Sequence, residues 1–154
     1  MESFKAPTKI ALDDRGILQQ IFDEWESKLS FDGTNYLSVP TIKRVYTVRN
    51  FSRNTIRGMH RHEKEWKFFT IVTGSAKFVV SPTPRIGPQT RTFVLTAARP
   101  ETLIVPPKNY NGWKALEEYT VLLGMSNFSL QESLKDDKRI PIANFATLFE
   151  VENR

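Results

Sequence analysis

The stretch KFFTIVTGSAKFVVS, Lys67 to Ser81, decides the fold that the sequence predicts. It contains two runs of β-branched and aromatic residues, which meet at Thr73-Gly74-Ser75. Such runs are typical of strands, and a glycine between them is typical of a tight turn. The stretch therefore predicts a β-hairpin, with strands at 67–72 and 75–81 and its turn at residues 73–75.

Similar runs recur along the chain, at 39–48, 91–96, 102–106 and 119–125, with turn-type residues between them. Many short strands joined by close turns are typical of an all-β sandwich or barrel. One segment departs from this pattern, because the apolar residues of 17–29 follow helical spacing. That segment predicts a short strand or turn that runs into a peripheral helix.

The composition is that of one soluble globular domain, and we expect the whole chain, 1–154, to form it. The chain has 154 residues, of which 40% are hydrophobic and 25% charged. It has no apolar run near the roughly 18 residues that a membrane span needs. The N-terminal segment MESFKAPTKIALDD lacks the apolar core of a secretory signal. With no cysteine for disulfides or thiolate chemistry, a cytoplasmic location is expected.

The charge balance favours anionic partners. Lysine and arginine number 22 against 17 acidic residues, for a net charge of +5. The basic residues are scattered, and no RNA-binding motif of the RNP or KH type is present. A phosphorylated small molecule is therefore the expected partner, and nucleic acid and membrane are not.

Both histidines, His60 and His62, lie in the segment RGMHRHEKEWKFFTIVTG, residues 57–74. Two residues apart on an extended strand, they are expected to share one face. Barrels that bind a metal through two such histidines usually add a carboxylate about five residues on and a third histidine from a later strand. Here the position five after His62 is Lys67, whose ammonium group repels cations, and the later position is Asn111. We therefore predict no metal and no other cofactor.

Acid–base chemistry suits the same residues better. A histidine can take a proton from a carbon acid near neutral pH, and Lys67 can stabilise the resulting oxyanion. Arg57 can hold a phosphate with its guanidinium group. The alternative is structural, with the imidazoles packed inside the barrel and Lys67 extended into solvent.

Several motifs resemble the dTDP-4-dehydrorhamnose 3,5-epimerase family, whose members are cupin-like, or jelly-roll, β-sandwiches. The most specific of them is the Arg-Gly-x-His motif at residues 57–60 with Lys67 in register. The weaker ones are the Asp-Arg-Gly element at 14–16, the loop IVPPKNYNGWKAL and the acidic segment at 136–141. The resemblance covers most of the chain and implies an all-β, cupin-like jelly-roll sandwich or barrel with short peripheral helices.

The resemblance also implies a chemistry and an assembly. His60 would remove a proton next to the C4 ketone of a dTDP-4-keto-6-deoxy sugar, and Lys67 would stabilise the enolate. Arg15 and Arg57 would contact the nucleotide diphosphate or the sugar. Members of the family cover their sheet edges by dimerising, so a homodimer is expected.

At several positions the sequence lacks the residues that this family uses for double epimerisation. The family's proton-returning tyrosine corresponds to Phe128, so Tyr110 or Tyr119 would have to replace it. Phe128 and Trp113 are candidates for stacking on the sugar or base, and Asn111 replaces a loop histidine. The long C-terminal tail that supplies an aspartate partner for the base in many members has no counterpart here, and Asp136-Asp137 is expected to be an exposed turn. Single epimerisation, or a binding cupin without turnover, stays open.

A second family fits as well. The segment TIKRVY at 41–46, followed by Arg-Gly-Met-His-Arg-His at 57–62, is similar to the dTDP-sugar 3,4-ketoisomerases, which are also cupins. This resemblance implies that His62 joins His60 in moving a proton between C3 and C4 of the sugar, with Tyr46 near the site. Both resemblances imply isomerisation of a nucleotide-linked keto sugar.

Overall fold

The computed structural model describes residues 1–21, 28–30, 36–38 and 40–151. Within them the chain is mostly extended, with short helices near the C-terminus. The elements in chain order are β1 Phe4–Pro7, β2 Lys9–Asp13, β3 Gly16–Gln20, β4 Lys28–Ser30, β5 Tyr36–Ser38, β6 Arg44–Arg49, β7 Ile56–Arg61, β8 Lys67–Thr73, β9 Ser75–Ser81, β10 Arg91–Thr96, β11 Glu101–Val105, β12 Tyr110–Ala115, β13 Val121–Ser126, α1 Leu130–Lys135, β14 Lys138–Arg139 and a 3₁₀ helix Ile142–Phe149.

Two five-stranded antiparallel sheets form the body of the protein. The first has the order β1-β11-β8-β13-β6 and the second the order β10-β9-β12-β7-β14. The predicted all-β class is confirmed, and each predicted strand run overlaps a strand of one of these sheets. Neighbours in the sheets are mostly distant in sequence, so non-local pairing defines the fold.

The predicted hairpin at residues 73–75 is wrong. β8 and β9 belong to different sheets, so Gly74 carries the chain across the sandwich instead of turning it back beside itself. Gly74 has a φ of +77°, and a Cβ there would collide with the side chain of Thr120. A sharp glycine turn is needed in either topology, which is why the local pattern could not distinguish them.

The segment 17–29 is also partly different from its prediction. Residues 17–20 belong to β3, which pairs with β2 in a separate two-stranded ribbon, and β4 begins at Lys28. The rest of the predicted helix, 22–27, lies outside the described residues. The peripheral helices that the structure does describe are α1 and the 3₁₀ helix. Neither is long and apolar enough to cross a membrane.

The main hydrophobic core lies between the two sheets. Its members come from the inward faces of both sheets: Phe69, Ile71, Ala76, Phe78, Val80, Leu95, Leu103, Val105, Trp113, Ala115 and Leu122. The outer face of the second sheet is covered by the 3₁₀ helix, whose Phe145 and Phe149 pack on Met59. Apolar side chains thus fill the sandwich along most of its length, and polar groups gather at one end.

Candidate active site

A cleft of about 190 Å³ opens between the sheets. Both sheets contribute to it, through β6, β8 and β13 on one side and β7 and β12 on the other. Its lining combines aromatic and aliphatic walls with a few polar groups: Tyr46, Val48, Arg57, Gly58, His60, Lys67, Phe69, Asn111, Gly112, Trp113 and Leu122. Such a mixture of apolar walls and convergent polar groups is typical of a small-molecule site.

An irregularity in β7 brings Arg57 and His60 to the same cleft. Side chains three apart on a regular strand point to opposite faces. The pairing of β7 with β12 shifts register between Asn111 and Trp113, so that β7 holds one extra residue there. Gly58 occupies this bulge with a φ of +127°, and a Cβ on it would lie 2.5 Å from the Cα of Gly112. A glycine is therefore required where the two strands approach.

His60 has a carboxylate partner. Its Nδ1 lies 2.9 Å from Oδ1 of Asp137, because β14 pairs with β7 and places Asp137 beside it. Burial raises the pKa of Asp137, but hydrogen bonds from Arg139 and His60 outweigh it and lower the pKa overall. An ionised Asp137 holds the proton of His60 on Nδ1 and leaves Nε2 as the basic nitrogen. The prediction of an exposed turn at Asp136-Asp137 is wrong for Asp137, whose side chain is only 11% exposed.

Lys67 lies in the wall of the cleft and does not reach into solvent, since its side chain is 12% exposed. Burial lowers the pKa of Lys67, and the negative charges of Glu65 and Asp137 oppose that shift. The nearest carboxylate oxygen, Oε2 of Glu65, is 4.0 Å from Nζ. Lys67 is thus a largely desolvated amine that lines the same cleft as His60.

His62 is placed differently from its prediction. β7 ends at Arg61, so strand alternation does not extend to His62, which is buried behind the cleft and does not line it. Its Nε2 lies 3.0 Å from Oε2 of Glu65 and 3.6 Å from Oδ1 of Asp137. Burial, followed by the charge of Lys67, lowers the pKa of His62 to about 4, so the ring is neutral at pH 7. Nε2 therefore carries the proton toward the carboxylates.

Tyr46 reaches the cleft from the opposite sheet. Burial raises its pKa to about 12, so its hydroxyl is protonated at neutral pH. The guanidinium carbon of Arg44 lies 5.2 Å from the centre of its ring. A side chain at Gly124 would occupy the space of the Tyr46 ring, so this glycine makes room for it.

The two other predicted polar residues of the cleft are fixed by hydrogen bonds. Arg57 donates from Nε to Oδ1 of Asn50 at 2.6 Å, and Asn50 donates in turn to the carbonyl of Thr55. Asn111 donates from Nδ2 to the backbone carbonyl of His60 at 3.0 Å. Asn111 therefore ties β12 to the strand that carries His60.

Several residues that were predicted to contact the substrate lie away from the cleft. Arg15 sits at the turn of the β2–β3 ribbon, where it pairs with Asp13, and it lines a different cavity. Phe128 follows the end of β13 and is not among the residues that line the cleft. Of the alternative tyrosines, Tyr110 packs in the outer cluster and Tyr119 is exposed. Trp113 does line the cleft, where it also stacks on Phe78 of the core.

Sequence reasoning missed two acidic residues. Asp137 reaches His60 only through the pairing of β14 with β7, and Glu65 is fully buried although charged residues surround it in sequence. The available signal was Arg139 next to the acidic pair, which could have suggested a paired carboxylate. In the part of the chain that the structure describes, no three His, Asp or Glu side chains are arranged to hold a metal.

Solved structures share this architecture. The ketoisomerase QdtA from Thermoanaerobacterium thermosaccharolyticum, solved with TDP, matches with a TM-score of 0.70 and 20% identity over 96% of this chain and 94% of its own. A dTDP-4-dehydrorhamnose 3,5-epimerase from Bacillus anthracis matches with 0.70 and 18% over 90% and 78%. The 3'-monoepimerase ChmJ from Streptomyces bikiniensis, solved with dTDP-quinovose, matches with 0.73 and 18% over 91% and 70%.

The fold defines a cupin-like jelly-roll protein, which confirms the predicted fold. No curated protein matches the chain by sequence. The family model FdtA, described as WxcM-like, C-terminal, matches residues 13–138, and the chain belongs to this family.

Proposed function

We propose that the protein is a cofactor-independent isomerase that moves a proton next to the ketone of a nucleotide-linked 4-keto-6-deoxy sugar. The observation that carries this proposal is the His60–Asp137 pair at the wall of the cleft, with Lys67 beside it. The similar solved proteins are named as sugar ketoisomerases and epimerases, which supports the same substrate class.

In the proposed reaction, Nε2 of His60 takes a proton from a carbon next to the ketone. The electrons of the broken C–H bond form a carbon–carbon double bond, and the ketone oxygen becomes an enolate oxyanion. The Lys67 ammonium stabilises that oxyanion. A positioned base contributes about 10²–10⁴-fold to such a step, and one oxyanion donor about 10²–10³-fold.

Arg57 is the proposed anchor for the anionic part of the substrate. It lines the same cleft as His60, and its bond to Asn50 fixes the direction of the guanidinium group. The terminal nitrogens can then contact a phosphate or a sugar oxygen. Asn111 contributes through its hydrogen bond to the β7 backbone, which sets the position of His60.

The fate of the proton distinguishes two reactions. An epimerase returns it to the same carbon from the opposite face, and Tyr46 is the protonated group in the cleft that could do so. A 3,4-ketoisomerase moves it to the neighbouring carbon. Proteins named as catalysts of each reaction are among the solved structures that this chain resembles.

We also propose that two chains form a cytoplasmic homodimer. The β2–β3 ribbon exposes four large apolar side chains, Ile10, Leu12, Ile17 and Leu18. A two-stranded ribbon is only marginally stable alone, so contact with a second copy would stabilise it. Because Arg15 lies away from the cleft of its own chain, it could contact substrate only across such a dimer. Sedimentation of the protein and of a Leu12→Lys variant tests the assembly, which a monomeric wild type would refute.

Proton exchange tests the reaction itself. The protein is incubated with dTDP-4-keto-6-deoxyglucose in heavy water, and the sugar is followed by NMR. Deuterium at C3 or C5 with the ketone still at C4 indicates an epimerase, and a ketone at C3 indicates a ketoisomerase. An unchanged sugar, with thermal stabilisation by the nucleotide sugar, indicates a cupin that only binds.

A further inference from the structure

We propose that Glu65 is a positioning residue that holds Lys67 in place, and in its cationic form, at the wall of the cleft. The inference rests on the proposed function, because it gives Lys67 the task of stabilising an oxyanion. Glu65 itself does not line the cleft and would act only through Lys67.

Glu65 is the centre of a buried hydrogen-bond network. Its side chain is fully buried, and each oxygen has two polar partners within 3.0 Å. Oε1 accepts from Arg44 at 2.9 Å and from Ser126 at 2.6 Å. Oε2 accepts from Ser133 at 2.7 Å and from His62 at 3.0 Å. A carboxyl group with this many donors is held in one position.

The position of this fixed anion matters for Lys67. A buried ammonium group loses its proton easily, unless a negative charge lies close by. Oε2 of Glu65 is 4.0 Å from Nζ of Lys67, and Asp137 adds a second, more distant negative charge. Arg44 and Arg139 act in the opposite direction. Glu65 is therefore the strongest group that keeps Lys67 charged against its burial.

The network also explains why Glu65 is needed at this point of the chain. Its partners come from β6, β13, α1 and the loop that follows β7, so four parts of the fold fix one carboxylate. If the role of Glu65 is purely structural, its removal should lower the stability of the protein and leave the titration of Lys67 unchanged. A positioning role makes the titration of Lys67 shift, and this difference separates the two.

The test is the pH dependence of Lys67 acetylation in the intact protein. Acetic anhydride reacts with the neutral amine, and mass spectrometry of the digested protein gives the rate at Lys67 at each pH. Glu65→Gln, which keeps the shape and removes the charge, should lower the midpoint by more than one pH unit. Glu63→Gln is the matched control, since Glu63 lies in the same loop and pairs with Lys138. Equal midpoints in the wild type and Glu65→Gln would overturn the proposal.

Two further measurements keep the proposal testable if Glu65→Gln does not fold. In the wild type, Lys67 must be charged at pH 7, so a midpoint below pH 7 would overturn it. Ser126→Ala keeps the charge of Glu65 and removes one donor, so a midpoint that falls by the full pH unit expected for loss of the charge would also overturn it. These titrations need no substrate, so a shifted midpoint without turnover would reject the proposed function and leave the coupling of Glu65 to Lys67 intact.

The pH dependence of turnover tests the role of Glu65 in the reaction. Because Lys67 acts as a cation, activity should fall as the pH rises through its pKa. In Glu65→Gln that fall should occur at lower pH, with kcat affected more than KM, since the oxyanion forms after binding. An unshifted alkaline limb in an active Glu65→Gln variant would overturn the positioning role.

Discussion

His60 and His62 are two positions apart in sequence, but they differ in how far each side chain is buried. The side chain of His60 is 31% exposed and lines the cleft, whereas that of His62 is 3% exposed and lies behind it. Both face the same oxygen of Asp137. The difference arises because β7 carries His60 and ends before His62. Burial, rather than residue type or spacing, thus separates a group that can meet substrate from one that supports the site.

The largest expected effect comes from replacing each histidine in turn. His60→Asn should lower turnover by about 10²–10⁴-fold, because it removes the proposed base. His62→Asn should lower it less than tenfold, because His62 does not line the cleft. Steady-state kinetics of the two variants, with folding checked by circular dichroism, make the comparison. Equal losses would show that His62 takes part in proton transfer, as the ketoisomerase resemblance implies.

Removing the shared carboxylate should have the next largest effect. Asp137→Asn should lower kcat about 10- to 100-fold, the size typical of losing a carboxylate that orients an imidazole. Asp136→Asn is the matched control, because Asp136 accepts hydrogen bonds from backbone amides of Glu63 and Lys64 instead. A similar loss of kcat in both variants would mean that the acidic segment acts only by holding the loop.

The burial of His62 should be visible in stability. The usual pKa of 6.5 falls to about 4 in the folded protein, so the unfolded chain binds a proton first as the pH drops. Stability is therefore lost between pH 6.5 and 4, and about 2 kcal/mol of it by pH 5. Urea unfolding at pH 7 and pH 5 measures this loss. His62→Asn should remove the dependence, and His60→Asn should retain it. A loss of the same size in His62→Asn would contradict the assignment.

The smallest expected effect concerns the buried hydrogen-bond network around Glu65. Ser133→Ala removes one donor to Glu65 and should cost about 1 kcal/mol of stability. Gln131→Ala, at an exposed position of the same helix, should stay within about 0.5 kcal/mol. Thermal unfolding compares them. Equal stability of the two variants would show that the network around Glu65 tolerates the loss of one donor.

Much of the fold could be predicted because strand formation follows local composition. Each predicted run overlaps an observed strand, but the pairing partner of β8 could not be inferred from its own residues. Gly74 supports a hairpin and a crossing between sheets equally well. Of the apolar residues in 17–29 that follow helical spacing, Ile17 and Leu18 lie in β3, a strand of an exposed ribbon.

The site was predictable to the extent that its residues lie close together in sequence. His60, Arg57 and Lys67 were identified from one segment, and the structure places all three at one cleft. The common orientation of Arg57 and His60 depends on the bulge at Gly58, which strand alternation alone does not predict. Asp137 could not be assigned to His60, because 77 residues separate them and only the pairing of β14 with β7 joins them.

The place of Trp113 has an optical consequence. Its indole forms part of the cleft wall and is 6% exposed, while Trp66 packs against the cluster on the far face of the first sheet. An aromatic or charged ligand in the cleft would change the surroundings of Trp113 and leave those of Trp66 as they are. In a Trp25→Phe, Trp66→Phe background, the intrinsic fluorescence of the protein becomes a reporter of occupancy that needs no label and no turnover.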